Sequence, residues 1–257
     1  MTTEHVLVQR EDQVLRIQFN RPERRNAITA AMYGTIAEAL KQADADNAVR
    51  VVFLSGTRDC FTSGNDLNDF LQNPPQGEDS TVARFLAGIS QLNKPLVAAV
   101  NGPAVGVGTT MLLHCDLVYA GTNARFQMPF ANLGLCPEAA SSLILPVMIG
   151  HQRAAELLML GEPFDAARAQ ELGLVNAIFD DAEYQERAYA RAKHLAGQPP
   201  NAMRITKALL KRSQRAAVAE TMRIESADFM RMLREPEALE AMTAFMQKRK
   251  PDFSRFN

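Results

Sequence analysis

The sequence predicts an α/β protein, a core of alternating strands and helices continued by a helical C-terminal part. Two observations carry this reading. Up to residue 120, apolar runs of strand length alternate with stretches whose apolar residues recur every three or four positions, the period of one helix face. Beyond Glu138 strand signals thin to one short candidate over 174–179, and the chain reads as helices capped or broken at Asp165, Asp181, Pro199-Pro200 and Pro236. A chain of 257 residues, 47% of them hydrophobic, buries roughly 70–75% of the surface it exposes when unfolded, enough to fold without disulfides or metals. No low-complexity linker interrupts it, and Asn-Pro-Pro-Gln-Gly over 73–77 reads as a surface loop. One domain is expected, with a core over 1–197 and a helical extension over 198–257.

Each element has its own signal. Val6-Leu7-Val8 and the alternating Val14-Leu15-Arg16-Ile17-Gln18-Phe19 flank the charged turn Glu11-Asp12-Gln13, which predicts an opening hairpin. Thr29 is a good N-cap for a helix that carries Met32, Ile36, Ala39, Leu40 and Ala43 on one face. Val51-Val52-Phe53-Leu54 reads as a buried strand. Ser80 can cap a second helix through Phe85, Leu86 and Ile89, and Pro95 opens the strand over 96–100. A glycine-rich turn then leads into a short helix over 106–113, and 117–120 is another short strand.

The charge balance excludes the default polyanion binder. With 28 basic and 29 acidic side chains the formal net charge is −1, so neither nucleic acid nor a membrane surface is an expected partner. Cys60, Cys115 and Cys136 are too few and too scattered for a disulfide framework or a zinc site, which fits a reducing compartment. The alternating N-terminus is not a signal peptide, and the apolar 95–120 stretch is broken by Asn101, Gly102, Pro103, His114 and Asp116. The closing SRFN is no peroxisomal address of the SKL type, so the cytoplasm is the expected location.

Two loops follow the strands at 51 and 96, and both place small residues or glycine just before a helix: 61–67, Phe-Thr-Ser-Gly-Asn-Asp-Leu, and 101–108, Asn-Gly-Pro-Ala-Val-Gly-Val-Gly. Glycine lets backbone approach a ligand, and a helix N-terminus leaves N–H groups aimed outward. Two such loops can offer two donors to one developing oxyanion, or be no more than two tight turns.

The motifs FTSGNDL, KPLVAAVNGPAVGVG running on to LLHCDLVYAG, FQMPFANLGLCPEAASSLILP and ELGLVNAIFD resemble the enoyl-CoA hydratase/isomerase (crotonase) superfamily in order and spacing. The resemblance runs from NRPERRNAIT to FMQKRKPDF, nearly the whole chain. It implies a spiral of repeated ββα units, C-terminal helices that trimerise (a trimer or a dimer of trimers), an acyl-CoA thioester as substrate, and an oxyanion hole of two backbone N–H groups, here those of Asn65 and Val107. No metal or redox cofactor is implied, coenzyme A being part of the substrate. Along the bound thioester and acyl chain the resemblance places Ser63, Gly64, Asp66, Leu67, Gly106, Phe130 and Leu133.

Carboxylates separate the reactions of this superfamily. Its hydratases carry two glutamates, at positions that here hold Thr110 and Phe130, and neither residue shuttles a proton as a glutamate does. Glu138, in LGLCPEAASS at the start of a predicted helix, matches the single catalytic glutamate of the peroxisomal-type Δ3,Δ2-enoyl-CoA isomerase branch. One carboxylate suffices to take an α-proton and return it at the γ-carbon. Apolar neighbours such as Phe130, Leu133 and Leu135 would raise its pKa and keep water out, whereas a helix N-terminus would lower it, and the sequence leaves that contest open. Glu138 is otherwise an ordinary first-turn glutamate.

The remaining candidates have structural readings beside the functional ones. Asp66 and Asp69 are acids near the expected thioester, and Asp66 equally suits the first turn of a helix that steadies its loop. His114, Cys115 and Asp116 are consecutive at a helix end and read as packing and capping, and Cys136 has no histidine partner nearby. Of three basic groups, the Arg204, Lys207, Lys211, Arg215 stripe reads as a solvated face. The resemblance assigns Arg24 and Arg25, beside Arg21, to the pyrophosphate of coenzyme A, and Phe245 with Lys248 to the adenosine end of a neighbouring subunit's ligand. Double-bond isomerisation is thus the expected activity. Hydration through a water held by Glu138, and a non-catalytic acyl-CoA-binding or interaction module, stay open.

Overall fold

The computed structural model describes residues 4–73, 77, 79–247 and 249–256. The hairpin forms as expected: β1 (Val6–Glu11) and β2 (Val14–Phe19) pair antiparallel from Val6↔Phe19 to Glu11↔Val14. Thr29 accepts the Met32 N–H at the head of α1 (Ala30–Ala45), and β3 (Val51–Ser55) follows. Next come α2 (Leu67–Gln72), capped by Asp66, and α3 (Thr81–Gln91), capped by Ser80. The chain continues through β4 (Leu96–Val100), β5 (Pro103–Val105), α4 (Val107–Thr110), a 3-10 turn over Met111–His114, β6 (Leu117–Gly121) and β7 (Arg125–Gln127). After α5 (Ser141–Ile149), α6 (His151–Ala155) runs into a π turn over Glu156–Leu160. The last elements are β8 (Phe164–Asp165), α7 (Ala166–Glu171), β9 (Ala177–Phe179), α8 (Tyr184–Ala196), α9 (Pro200–Lys211), α10 (Arg215–Met232) and α11 (Pro236–Met246).

Two compact units result, one made of the residues up to Phe126 with Phe164–Ser213, the other of Gln127–Pro163 with the residues from Gln214 onward. The first unit holds a six-stranded sheet, ordered β1-β2-β3-β4-β6-β9 and parallel from β2 onward, with Val14 opposite Val51, Val52 opposite Leu96 and Val97 opposite Leu117. A second sheet runs β5-β7-β8. Successive passes of the chain therefore give one strand to each sheet, β4 then β5, β6 then β7. All five residues of β3 and of β4 are buried, which is why these strands read as unbroken apolar runs and not as alternation. On one face α8 lays Tyr184, Ala188, Tyr189, Ala192 and Ala196 against Val51, Phe53, Val97, Ala99 and Tyr119. Elsewhere α1 and α3 pack together, with Tyr33 and Phe85 ring centroids 5.1 Å apart. In the second unit α10 packs on α5, and α11 on the 3-10 turn Ala131–Leu133.

Several sequence expectations need correction. The helix over 106–113 is one α turn and one 3-10 turn. Asp181 caps no helix; it accepts the Thr122 hydroxyl and the Asn123 N–H, and α8 starts at Tyr184. The basic stripe is not solvated throughout, because Lys207 is buried and donates to the Asp116 carboxylate at 2.7 Å and to the Lys94 carbonyl at 2.6 Å, while Lys211 donates to the His114 carbonyl. Among the described residues no helix is long and apolar enough to cross a membrane.

Candidate active site

In the first unit the two glycine loops lie side by side. Thr62 and Ala104 form a parallel bridge, with the Thr62 N–H donating to the Pro103 carbonyl at 2.9 Å and the Val105 N–H to the Thr62 carbonyl at 3.0 Å. Both segments leave this bridge in the same direction, and each reaches its expected donor, Asn65 or Val107, three residues on. Glycine is required at the approach: Gly64 sits at φ +90, and a Cβ there would lie 2.8 Å from the Val105 carbonyl oxygen. A Cβ on Gly108 would meet the Thr62 methyl at 2.6 Å, so the first turn of α4 also closes directly on the other loop. Gly106, at φ +57, turns the chain into α4.

Both backbone donors point away from their own scaffolds. Asn65 bridges Ile28, whose N–H goes to the Gly64 carbonyl and whose carbonyl takes the Asp66 N–H, which leaves the Asn65 N–H on the opposite side. Val107 is the first residue of α4, where the helix supplies no acceptor for its N–H. Among the described residues neither N–H meets an acceptor. The Asn65 side chain is held by the Tyr33 hydroxyl at 2.5 Å.

The neighbouring candidates take structural parts. Asp66 caps α2 through the Asn68 and Asp69 N–H groups and pairs with Arg21 at 2.7 Å; burial works to raise its pKa, but the Arg21 contacts and the two N–H bonds together hold it below the ordinary carboxylate value. Its oxygens are committed to the α2 cap and to Arg21, which makes it a weak base. Leu67 opens α2, and Asp69 takes the Ala30 N–H at the head of α1. Ser63 donates its N–H to the Arg25 carbonyl at 3.0 Å, so the Arg24-Arg25 segment is anchored by backbone while both guanidinium groups stay exposed, unpaired with any described carboxylate.

In the second unit Glu138 is only 8% exposed. Its pKa is raised from 4.5 to about 8, by burial first and the Glu225 carboxylate second. Its Oε1 has no hydrogen-bond partner among the described residues. The helix expected to begin at Glu138 begins at Ser141 instead, after Ala139 and Ala140 at φ 59 and 56. Helix-end stabilisation of the carboxylate is thereby lost, and desolvation decides the contest the sequence left open. Phe130 and Leu135 are buried and Leu133 is half-buried; the Phe130 carbonyl accepts both the Leu133 and the Leu135 N–H. Phe245 stands 64% exposed on α11, and Lys248 lies outside the described residues. The three thiols are poor nucleophiles, with burial raising Cys60 and Cys136 to about 11 and Cys115 to about 12.

The sequence model of enoyl-CoA hydratase/isomerase matches residues 9–255. The chain belongs to this family. Among solved structures, the Pseudomonas aeruginosa protein OdaA is 49% identical and superposes with a TM-score of 0.93 over 95% of this chain and 99% of its own, which gives the crotonase fold. Human enoyl-CoA delta isomerase 2 is 38% identical over 219 residues, 82% of this chain, and this chain spans 55% of that protein's length. The 2,3-dehydroadipyl-CoA hydratase of Escherichia coli K12 is 34% identical over 96% of this chain and 98% of its own.

Three residues that organise this hydratase/isomerase family member escaped the sequence reading. Buried Asn26, at φ 55, accepts the Arg21 N–H and donates to the Cys60 and Phe61 carbonyls, tying the 21–26 turn to the first glycine loop. An asparagine inside an otherwise charged turn is its one sequence signal, since asparagine tolerates positive φ. Tyr33 lies on the buried face of α1, where nothing distinguishes a tyrosine with a task from one that merely packs. Glu225 sits mid-helix and has no local signal.

Proposed function

We propose that the protein is a Δ3,Δ2-enoyl-CoA isomerase in which Glu138 is the only acid/base. The observation that supports this reading above others is the buried carboxylate of Glu138, its pKa near 8 and its Oε1 without a partner among the described residues, in a chain with Thr110 and Phe130 at the two hydratase glutamate positions. Ionised Glu138 takes the α-proton of a 3-enoyl thioester, the electron pair moves into the thioester oxygen, and the Asn65 and Val107 N–H groups stabilise the enolate. Protonated Glu138 then returns the proton to the γ-carbon, leaving the 2,3 double bond and a regenerated base. A pKa near 8 suits both halves, the group being neither too weak a base nor too weak an acid. Arg24 and Arg25 face the coenzyme A pyrophosphate in this reading, and the exposed Ile205, Leu209 and Leu210 of α9 offer an apolar strip for association of copies.

The test supplies 3-enoyl-CoA and 2-enoyl-CoA separately to the purified protein. The 3-enoyl thioester is expected to give 2-enoyl product far faster than the 2-enoyl thioester gives 3-hydroxyacyl-CoA. Hydration at a comparable rate would overturn the proposal. In deuterated water part of the product should keep its original hydrogen, because a desolvated carboxylic acid exchanges slowly with solvent.

A further inference from the structure

The turn that carries Glu138 is closed by a side chain 85 residues beyond Ala140. The carboxylate of Glu225, buried on α10, accepts the Ala140 N–H at 2.6 Å, the Ser142 N–H at 3.0 Å and the Ser142 hydroxyl at 2.5 Å. It thus takes up backbone donors at the N-terminus of α5, the end of the helix that follows Glu138. Ala139 and Ala140 hold positive φ, a conformation costly for residues with a Cβ that persists only where surrounding bonds enforce it. We propose that Glu225 is a positioning residue for Glu138: it pins the 138–142 turn, takes up the helix donors, and sets a second negative charge beside the acid/base. The inference rests on the reading of Glu138 given above.

The other titratable groups around the pair are few. The Cys136 thiol, whose sulfur faces the Glu225 carbonyl, stays neutral because burial lifts its pKa to about 11. Asp228, on the next turn of α10, is tied to Arg231 at 3.1 Å. From α5 the donors are the backbone and hydroxyl of Ser142, and no cation of this unit pairs with Glu138 or Glu225 among the described residues.

The experiment is the pH dependence of kcat/KM for the unaltered protein and for Glu225→Gln, Ser142→Ala and Glu138→Gln. The unaltered protein should gain activity through about pH 8. Glu225→Gln removes the charge and should move that midpoint down by on the order of one unit, so activity on its acid side rises several-fold relative to the plateau. Ser142→Ala loses one bond but keeps the charge, and should lower Tm with the midpoint unmoved. A Glu225→Gln enzyme that is slower at every pH with an unmoved midpoint would reduce Glu225 to a helix cap and overturn the inference. If that variant does not fold, carboxyl 13C titration of the unaltered protein decides: Glu225 should be ionised at neutral pH while Glu138 is still protonated, and a Glu225 that stays protonated as Glu138 ionises overturns the proposal. An active Glu138→Gln would instead remove the reading beneath it.

Discussion

The Tyr33 hydroxyl donates to the side-chain oxygen of Asn65 at 2.5 Å, a bond from the buried face of α1 to the loop whose backbone N–H meets no acceptor among the described residues. The asparagine side chain therefore serves its own loop, and in the proposed mechanism the donor is the main chain. Asn65→Ala loses this bond, worth about 1 kcal/mol net, and keeps the N–H. It should lower Tm slightly and retain most of kcat/KM. Adding Tyr33→Phe should cost less than the two single changes combined, since they remove one shared bond. A hundredfold loss of activity in Asn65→Ala would transfer the role to the amide side chain.

Val107→Pro makes the complementary test. Proline suits the first position of a helix, so the backbone of α4 tolerates it, but the N–H is gone. Loss of one oxyanion donor lowers kcat by about 10²–10³. Circular dichroism should be unchanged while turnover falls by that amount; a variant with near-normal turnover removes Val107 from the site.

Glu138→Gln keeps shape and removes the base, so turnover should drop by about 10²–10⁴ with acyl-CoA affinity little altered. The same variant has a stability signature of definite sign. Glu138 titrates near 8 when folded against 4.5 when unfolded, so between those values the folded protein holds a proton that the unfolded chain has released. Folding stability therefore declines as pH rises from 4.5 to about 8, and the loss is complete above 8. Glutamine carries no such burden. Thermal unfolding at high pH should find Glu138→Gln more stable than the unaltered protein, by a few kcal/mol at most on the scale of about 1.4 kcal/mol per pKa unit. Near pH 4.5 the difference should vanish.

Lys207 and Arg204 share the basic stripe of α9 and should separate cleanly. Lys207→Ala strips a buried ammonium from Asp116 and the Lys94 carbonyl, and breaking such a pair costs about 3–5 kcal/mol. Arg204→Ala, on the exposed side, should stay within about 0.5 kcal/mol. Denaturant unfolding of the two variants measures the contrast.

The strands of the main sheet and the capped helices were legible because burial on both faces and capping chemistry are local: β3 and β4 appear as apolar runs, and Thr29 and Ser80 cap where their side chains suggest. The short strands β5, β7 and β8 carry two or three residues each, too few for a period to show. At the site, the glycines of 61–67 and 101–108 announced close approach, and the resemblance supplied Glu138. Its environment was not legible. The left-handed turn at Ala139 and Ala140 uses residues that normally avoid it, and the carboxylate that closes the turn comes from α10.

Alanine at both left-handed positions has a mechanical consequence. A turn made only to reverse the chain would use glycine, which moves freely among backbone wells; alanine confines each position to a narrow one. The backbone beneath Glu138 is a fixed post and not an arm. In the proposed chemistry the travel between two carbon atoms of the acyl chain must then come from rotation about the glutamate's own side-chain bonds. The length of that side chain becomes the ruler of the reaction, and an aspartate in its place, carrying the same carboxyl group but shorter by one methylene, would be a base without the span.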